Sequence, residues 1–143
     1  MIVDIPQYFF SICYDGKCYP GAPDVRGLSK GANCQHFAYE LLRHFGKQIP
    51  NFRSSDLWED NFSTFRVTSF EPLDLLLYNS VDCAWGAHVA VLLGEGQIIH
   101  LSKELIRPVI WRHEEFLNTP RYRCFIGAKR VRDQGELSLA KTR

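Results

Sequence analysis

The chain has 143 residues, of which 45% are hydrophobic and 23% are charged. This composition is typical of one globular domain that buries a core without disulfides or a metal. The formal net charge is only +1 and the basic residues are scattered, which excludes nucleic acid as an expected partner. One small basic group, Lys129, Arg130 and Arg132, is interpreted as the solvated end of a last strand.

The five cysteines do not form a recognisable disulfide framework, because their number is odd and their spacing irregular. They suit a reducing compartment. Cys13 and Cys18 would allow one disulfide or half of a zinc site, but no second Cys/His pair with zinc-ligand spacing completes such a site. We therefore expect no metal and no cofactor.

The first ten residues, MIVDIPQYFF, lack the positive segment of a signal peptide. No stretch approaches the roughly 18 apolar residues that span a membrane. The expectation is a chain without a membrane span, cytoplasmic unless a segment removed from this sequence exports it. The sequence leaves the oligomeric state open.

The first predicted helix follows a loop. Turn-forming residues recur every few positions over 13–33, and from Cys34 the apolar residues follow a helical period that Gly46 ends. Asn33 is a favoured N-cap residue, which places Cys34 in the first turn. The apolar face consists of Cys34, Phe37, Ala38, Leu41, Leu42 and Phe45.

The rest of the chain is rich in strand signals. Residues 50–70 are predicted to connect, with a short helix around 55–62 capped by Ser54 or Ser55. The order of loop, helix and antiparallel sheet predicts an α+β fold, with residues 1–133 as a single domain and 134–143 as a polar tail. The predicted later elements are strands at 73–78, 87–93, 97–101, 107–111 and 121–131, and a short helix at 113–117.

Cys34 is the candidate nucleophile. A helix N-terminus lowers the pKa of a thiol because the free N–H groups and the helix dipole favour the thiolate. The alternative is that Cys34 is simply the first residue of the apolar face, since free cysteine is often buried. Cys83 follows Asp82 and mimics a nucleophile motif, but no helix N-terminus acidifies it, so it is interpreted as structural or incidental.

A cysteine nucleophile needs a base, and the histidines offer two candidates. His88 interrupts an apolar strand and His100 ends the next one. If an odd-length loop joins these strands, His100 lies opposite Ala90 and both rings project from one face, with α carbons on the order of 7 Å apart. His88 would then take the thiol proton and His100 would fix its ring. His36 and His44 are expected at the surface of the first helix.

Either histidine alone is more simply interpreted as a satisfied core or strand-end residue. The combination of His88, His100 and Cys34 favours the catalytic interpretation.

Four segments together resemble the NlpC family of papain-like cysteine peptidases. They are NCQHF at 33–37, EPLDLLL at 71–77, HVAVLLGEG at 88–96 and Ile-His at 99–100. Family members typically show Asp-Cys-Ser-Gly at the start of the first helix, a Pro-Gly-Asp-Leu strand, a His-Val-Gly-Ile strand ending in Gly-x-Gly, and a terminal polar residue that is often histidine. The similarity covers about residues 14–117 and implies a papain-like fold.

The resemblance implies the same roles as the residue-level argument: Cys34 as nucleophile, His88 as base and His100 as the orienting residue. Many members also have a tyrosine before the cysteine, and Tyr14 and Tyr19 both suit that position, with nothing in their spacing to choose between them. The backbone N–H of Cys34, together with that tyrosine, would stabilise the oxyanion.

The chain also departs from the family pattern. Asn33 replaces the usual aspartate, Gln35 and His36 replace serine and glycine, and Leu73 replaces the glycine of the Pro-Gly-Asp motif. These changes alter residues that line the expected pocket, and they put the identity of the substrate in question.

NCQHF also resembles the Asn-Cys-Glu-His-Phe motif of lecithin retinol acyltransferase relatives. In those proteins the histidine precedes the cysteine, whereas here both His88 and His100 follow Cys34. The order favours the peptidase branch.

The expected function is hydrolysis of an amide bond through an acyl-enzyme, with a peptide or murein fragment as substrate. The family resemblance supplies the bond: one in a peptidoglycan stem peptide, such as that between γ-D-glutamate and a diamino acid. A lipid or thioester acyltransferase and a catalytically silent binding module are the alternatives.

Overall fold

The computed structural model of the chain describes residues 1–133, so the predicted polar tail at 134–143 lies outside the described residues. Within that range no helix has both the length and the apolar character to cross a membrane. The helices are α1 (Cys34–His44), α2 (Ser54–Glu59) and α3 (His113–Leu117), with single 3₁₀ turns at Gln7–Ser11 and Pro120–Tyr122. The strands are β1 (Thr64–Val67), β2 (Leu75–Asn79), β3 (His88–Gly94), β4 (Gln97–Leu101), β5 (Pro108–Trp111) and β6 (Cys124–Val131).

The strands form one six-stranded sheet in the order β1-β6-β2-β3-β4-β5, and every neighbouring pair is antiparallel. Helix α1 precedes the whole sheet in the chain. The predicted α+β fold with a mainly antiparallel sheet is confirmed.

The sheet is buried on both faces at β3, which explains why every residue of this strand is buried and why the residues after His88 are apolar. Because strand side chains alternate, Val89 and Val91 belong to the core beneath α1, while Ala90 and Leu92 pack on the opposite face. That second face is covered by Phe116 of α3 and by the turn at Pro120–Tyr122. The pattern places His88, which shares the parity of Ala90, on the second face.

Helix α1 begins and ends where the sequence predicts. The Asn33 side chain accepts a hydrogen bond from the His36 N–H at 2.8 Å, which satisfies one of the free donors of the first turn. The middle of the apolar face, including Leu41 and Leu42, is fully buried, and Cys34 and Phe45 at its two ends are half-buried. Beyond the helix Gly46 takes a φ of +83°, a conformation that glycine adopts without strain.

Three elements differ from the prediction. Strand β1 lies inside the segment 50–70 predicted to be a connection. It is held by backbone pairing with β6, and its four residues are too few to show a strand pattern in the sequence. Helix α2 begins at Ser54 without a side-chain cap, so neither predicted serine caps it from outside. The last predicted strand is shorter, because the turn at Pro120–Tyr122 precedes β6.

Lys129 contradicts the interpretation of the basic group as a solvated strand end. Its side chain is fully buried, and its ammonium donates to the carbonyl oxygens of Trp58, at 3.2 Å, and Asp60. These carbonyls lie at the end of α2, where helical acceptors lack partners within the helix. Burial lowers the pKa of Lys129 to about 8.

Leu73 shows why the family pattern has glycine at this place. Its φ is +75°, in the left-handed region that side chains with a Cβ rarely adopt. The conformation is held from both sides, because the Leu73 N–H donates to the Leu92 carbonyl at 2.7 Å and the Asp74 carbonyl accepts from the Leu92 N–H at 3.0 Å. The chain therefore keeps the strained turn without the glycine.

Candidate active site

Cys34 is the first residue of α1 and is half-buried. Burial raises the pKa of the Cys34 thiol, and this effect outweighs the backbone N–H groups of Val89, Gln35 and Cys34 itself, which favour the thiolate. The expected acidification at the helix start is therefore wrong in its net direction. The local N–H groups stabilise the thiolate as expected, but tertiary packing around the sulfur costs the thiolate more hydration than these hydrogen bonds compensate.

His88 and His100 face each other across the β3–β4 hairpin. The Val91–Ile99 pair fixes the register, so His100 lies opposite Ala90 as expected. The expected odd-length loop is wrong, however: Gly94 pairs with Gln97, and a bulge between Leu92 and Gly94 restores the register. Nε2 of His88 lies 2.9 Å from Nδ1 of His100, and the ring centroids are 4.9 Å apart at an interplanar angle of 89°.

Both rings are held in the neutral form. Burial lowers the pKa of His100 to about 3. Burial also lowers the pKa of His88 well below its usual value, with His100 and the nearby charge of Arg121 acting in the same direction. The hydrogen-bonded pair is therefore uncharged at neutral pH.

One cleft brings the nucleophile and base candidates together. It has a volume of about 270 Å³ and is lined by both Cys34 and His88. In the described residues no hydrogen bond joins their side chains, and the N–H of Val89, one residue after His88, contacts the Cys34 sulfur. His100 stands behind His88, so the order along the site is cysteine, histidine, histidine.

The structure separates the two tyrosines that the sequence left open. Tyr14 lines the cleft, and so does Asn33, whose side-chain oxygen caps α1. Tyr19 is not among the described residues that line it. Its ring lies 4.6 Å from the guanidinium of Arg53 instead.

Sequence reasoning missed three residues on the far wall of the cleft: Lys103, Arg121 and Tyr122. Tyr122 stacks on His88 with ring centroids 4.4 Å apart, and its hydroxyl donates to Glu104 at 3.1 Å. Nε of Arg121 pairs with the same carboxylate at 2.6 Å. The signal available in the sequence was Pro120, which directly precedes the predicted strand and begins the turn that places Arg121 and Tyr122.

His36 is buried rather than exposed, which corrects the expectation for the first helix. Its Nε2–H donates to the Gly27 carbonyl at 2.6 Å, because the loop before α1 folds back over the first turn. His44 is exposed as expected. Cys83 is exposed and outside the cleft lining, and all five cysteines are free thiols, including Cys13 and Cys18.

Comparison with known proteins gives matches among solved structures. A NlpC/P60 family protein from Bacillus cereus superposes with a TM-score of 0.54 and 25% sequence identity, over 71% of this chain and 32% of that protein. The chain has the NlpC/P60 fold. The NlpC/p60 domain of the peptidoglycan hydrolase SagA superposes with a TM-score of 0.48 and 23% identity, over 82% of this chain and 88% of that domain.

The family resemblance drawn from the motifs is confirmed at the level of the NlpC/P60 fold. No protein-family model matches the sequence, and the search of curated proteins found no match. The chain spans about a third of the Bacillus cereus protein, so the likeness concerns one part of that molecule.

Proposed function

We propose that the chain is a cysteine hydrolase that cleaves an amide bond through an acyl-enzyme, with Cys34 as nucleophile, His88 as general base and His100 as the orienting residue. The observation that carries the proposal is the placement of Cys34 and His88 in one cleft, with His88 held by His100 at 2.9 Å. The NlpC/P60 fold supports it.

In the first half of the reaction, the Cys34 sulfur attacks the carbonyl carbon and its proton passes to Nδ1 of His88, the ring nitrogen that His100 does not engage. The C–N bond breaks, His88 gives the proton to the leaving amine, and a thioester remains. Water then attacks the thioester, His88 takes a proton from it, the C–S bond breaks and the proton returns to Cys34. Because Cys34 and His88 are both neutral before the reaction, the thiol proton moves to His88 as the sulfur attacks the carbonyl carbon.

The start of α1 supplies donors for the oxyanion. The N–H groups of Cys34 and Gln35 point at the region of the sulfur, and the Tyr14 hydroxyl lines the same cleft. Burial raises the pKa of Tyr14, with the Cys34 charge adding to the effect, so the hydroxyl stays protonated at neutral pH.

We propose a peptidoglycan stem peptide as substrate, cleaved at a bond of the γ-D-glutamyl-diamino acid type. Stem peptides carry free carboxylates, and Lys103 lines the cleft as a cation, whereas Arg121 in the same lining is already paired with Glu104. The relation of SagA to peptidoglycan, stated for that protein, supports the same substrate class.

The test is incubation of the full chain with the tripeptide L-Ala-γ-D-Glu-diaminopimelate and with its α-linked isomer, followed by mass spectrometry of the products. Wild type should cleave the γ-linked peptide only. Cys34→Ser should abolish cleavage, whereas Cys83→Ser, which changes an exposed thiol outside the cleft, should retain it. Undiminished cleavage by Cys34→Ser, or no cleavage of either peptide by wild type, would contradict the proposal.

A second candidate, acyl transfer from a lipid or thioester, is favoured by exposed apolar side chains beside the cleft. Trp85 is 77% exposed next to Gly86 of the cleft lining, and Ile106 is 60% exposed where its carbonyl accepts from the Tyr14 N–H. A covalent acyl adduct on Cys34 after incubation with a short-chain phospholipid, seen by intact mass, would select this function. Absence of an adduct combined with peptide cleavage would reject it.

A further inference from the structure

His100 has a ring nitrogen without a partner. Nδ1 contacts His88, but Nε2 is buried and has no hydrogen-bond partner among residues 1–133. The residue as a whole is 1% exposed, so water does not serve Nε2 at the surface. A buried polar atom left in this way requires an explanation, because such atoms are costly.

Aromatic rings from three elements enclose the imidazole. The centroid of His100 lies 4.4 Å from that of Trp111 in β5, 4.6 Å from that of Phe116 in α3 and 5.8 Å from that of Tyr122. These three residues are called the aromatic enclosure below. The three rings stand at interplanar angles of 60°, 56° and 84° to the imidazole, so the surroundings of His100 on these sides are aromatic.

The two neutral tautomers of His100 differ in how they suit this surrounding. With the proton on Nε2, the buried N–H lies among aromatic rings, where an N–H···π contact is weak but favourable. With the proton on Nδ1, the Nε2 lone pair lies in the same surroundings without a donor. The enclosure therefore favours the Nε2–H tautomer, which leaves Nδ1 of His100 as an acceptor.

We propose that the aromatic enclosure sets the protonation pattern of the whole histidine pair. Since Nδ1 of His100 accepts, Nε2 of His88 must carry a proton and donate across the 2.9 Å contact. The other nitrogen of His88, Nδ1, is then free of a proton. The aromatic enclosure thus consists of positioning residues: it acts on His100, and through His100 it prepares His88 as a base.

Trp111 gives the cleanest perturbation. Tyr122 stacks on His88 and lines the cleft, and Phe116 lies 6.3 Å from His88, so both would disturb several things at once. Trp111 contacts His100 but is not among the described residues that line the cleft. Trp111→Leu removes the π face, and Trp111→Phe keeps one.

The test is two-dimensional ¹H–¹⁵N spectroscopy of histidine-labelled full chain at pH 7.5, where both rings are neutral, with the two rings assigned through His88→Gln and His100→Gln samples. The wild type and Trp111→Phe should show a single protonated nitrogen, Nε2, on each ring. Trp111→Leu should lower the ratio of Nε2–H to Nδ1–H on His100 about two- to fivefold. A wild-type spectrum with the proton on Nδ1 of His100 would overturn the proposal, and so would a Trp111→Leu spectrum unchanged from wild type.

The consequence for catalysis rests on the proposed hydrolase, but the spectra do not. If the wild type cleaves the peptide, Trp111→Leu should lower kcat in proportion to the lost Nε2–H population of His100, by less than about twofold while that tautomer stays the major one, with KM unchanged. Trp111→Phe should keep the wild-type kcat. If the expected spectra appear without any cleavage, the proposed function fails and the assignment of the protons stands. If the wild type cleaves the peptide but carries the proton on Nδ1 of His100, the proposed function stands and the assignment of the protons fails.

Discussion

Acid should destabilise this protein through its buried histidine pair. An unfolded histidine takes up a proton near pH 6.5, whereas burial lowers the pKa of His100 in the fold to about 3. Below pH 6.5 the unfolded state therefore binds a proton that the folded state does not, and the free energy of unfolding falls with falling pH. At pH 5.0 the difference is 1.5 pH units, or about 2 kcal/mol for His100 alone. His88 adds a loss of the same sign, because its pKa is also lowered by burial.

The measurement is urea unfolding of the full chain at pH 7.5, 6.0 and 5.0, followed by circular dichroism. His100→Asn removes one titrating group and should reduce the loss between pH 7.5 and pH 5.0 by about 2 kcal/mol relative to wild type. His44→Asn is the matched control for the substitution itself, since it removes an exposed histidine from the same domain. The comparison requires that the m-value, the dependence of the free energy of unfolding on urea concentration, is the same in all three proteins.

The reasoning would be refuted if the free energy of unfolding fell by the same amount between pH 7.5 and pH 5.0 in wild type and in His100→Asn. That result would mean that His100 is protonated inside the fold at pH 5.0, and hence that the enclosure by Trp111, Phe116 and Tyr122 admits a charge. If His44→Asn reduced the loss of stability at acid pH by as much as His100→Asn does, the acid sensitivity would not belong to the buried histidine pair.

Three further predictions follow from single contacts. Alkylation of Cys34 by iodoacetamide, mapped by mass spectrometry, should keep accelerating with pH past 8.5, because burial raises the pKa of its thiol; a rate already at its plateau at pH 7 would contradict this. Arg130→Leu should cost about 3 kcal/mol in urea unfolding, since it strips the bonds at 2.8 and 2.9 Å from the fully buried Asp74 carboxylate; a loss below about 1 kcal/mol would show that the carboxylate is solvated. Gly127→Ala should cost about 1–3 kcal/mol, because its φ is +150° and the new methyl would lie 2.4 Å from a Trp58 ring carbon, and Trp58→Leu should relieve part of that cost in the double variant.

Local chemistry determined the parts of the site that depend on neighbours in the chain. The helical period from Cys34 and the capping side chain of Asn33 are properties of adjacent residues, so the first helix could be predicted with its ends. The β3–β4 hairpin is also local: a short turn and a bulge between Leu92 and Gly94 set the register, and the register places His100 opposite Ala90 and beside His88.

Tertiary structure decided what surrounds those residues. The turn at Pro120–Tyr122 brings Tyr122 onto His88 from about 30 positions along the chain, and no periodicity in the sequence announces that approach. The same holds for Lys129, which the sequence presents as an exposed base and the fold buries beneath the end of α2.

The sequence by itself thus determined the α+β order, the first helix with Cys34 at its start, and the hairpin that pairs His88 with His100, because each depends on short-range geometry. Only the tertiary structure decided the chemistry of these groups. A helix start favours the thiolate, but packing over Cys34 raises its pKa, and packing around His100 leaves Nε2 without a partner. The balance between local hydrogen bonds and lost hydration is set by which distant side chains cover a group, and that information appears only when the chain is folded.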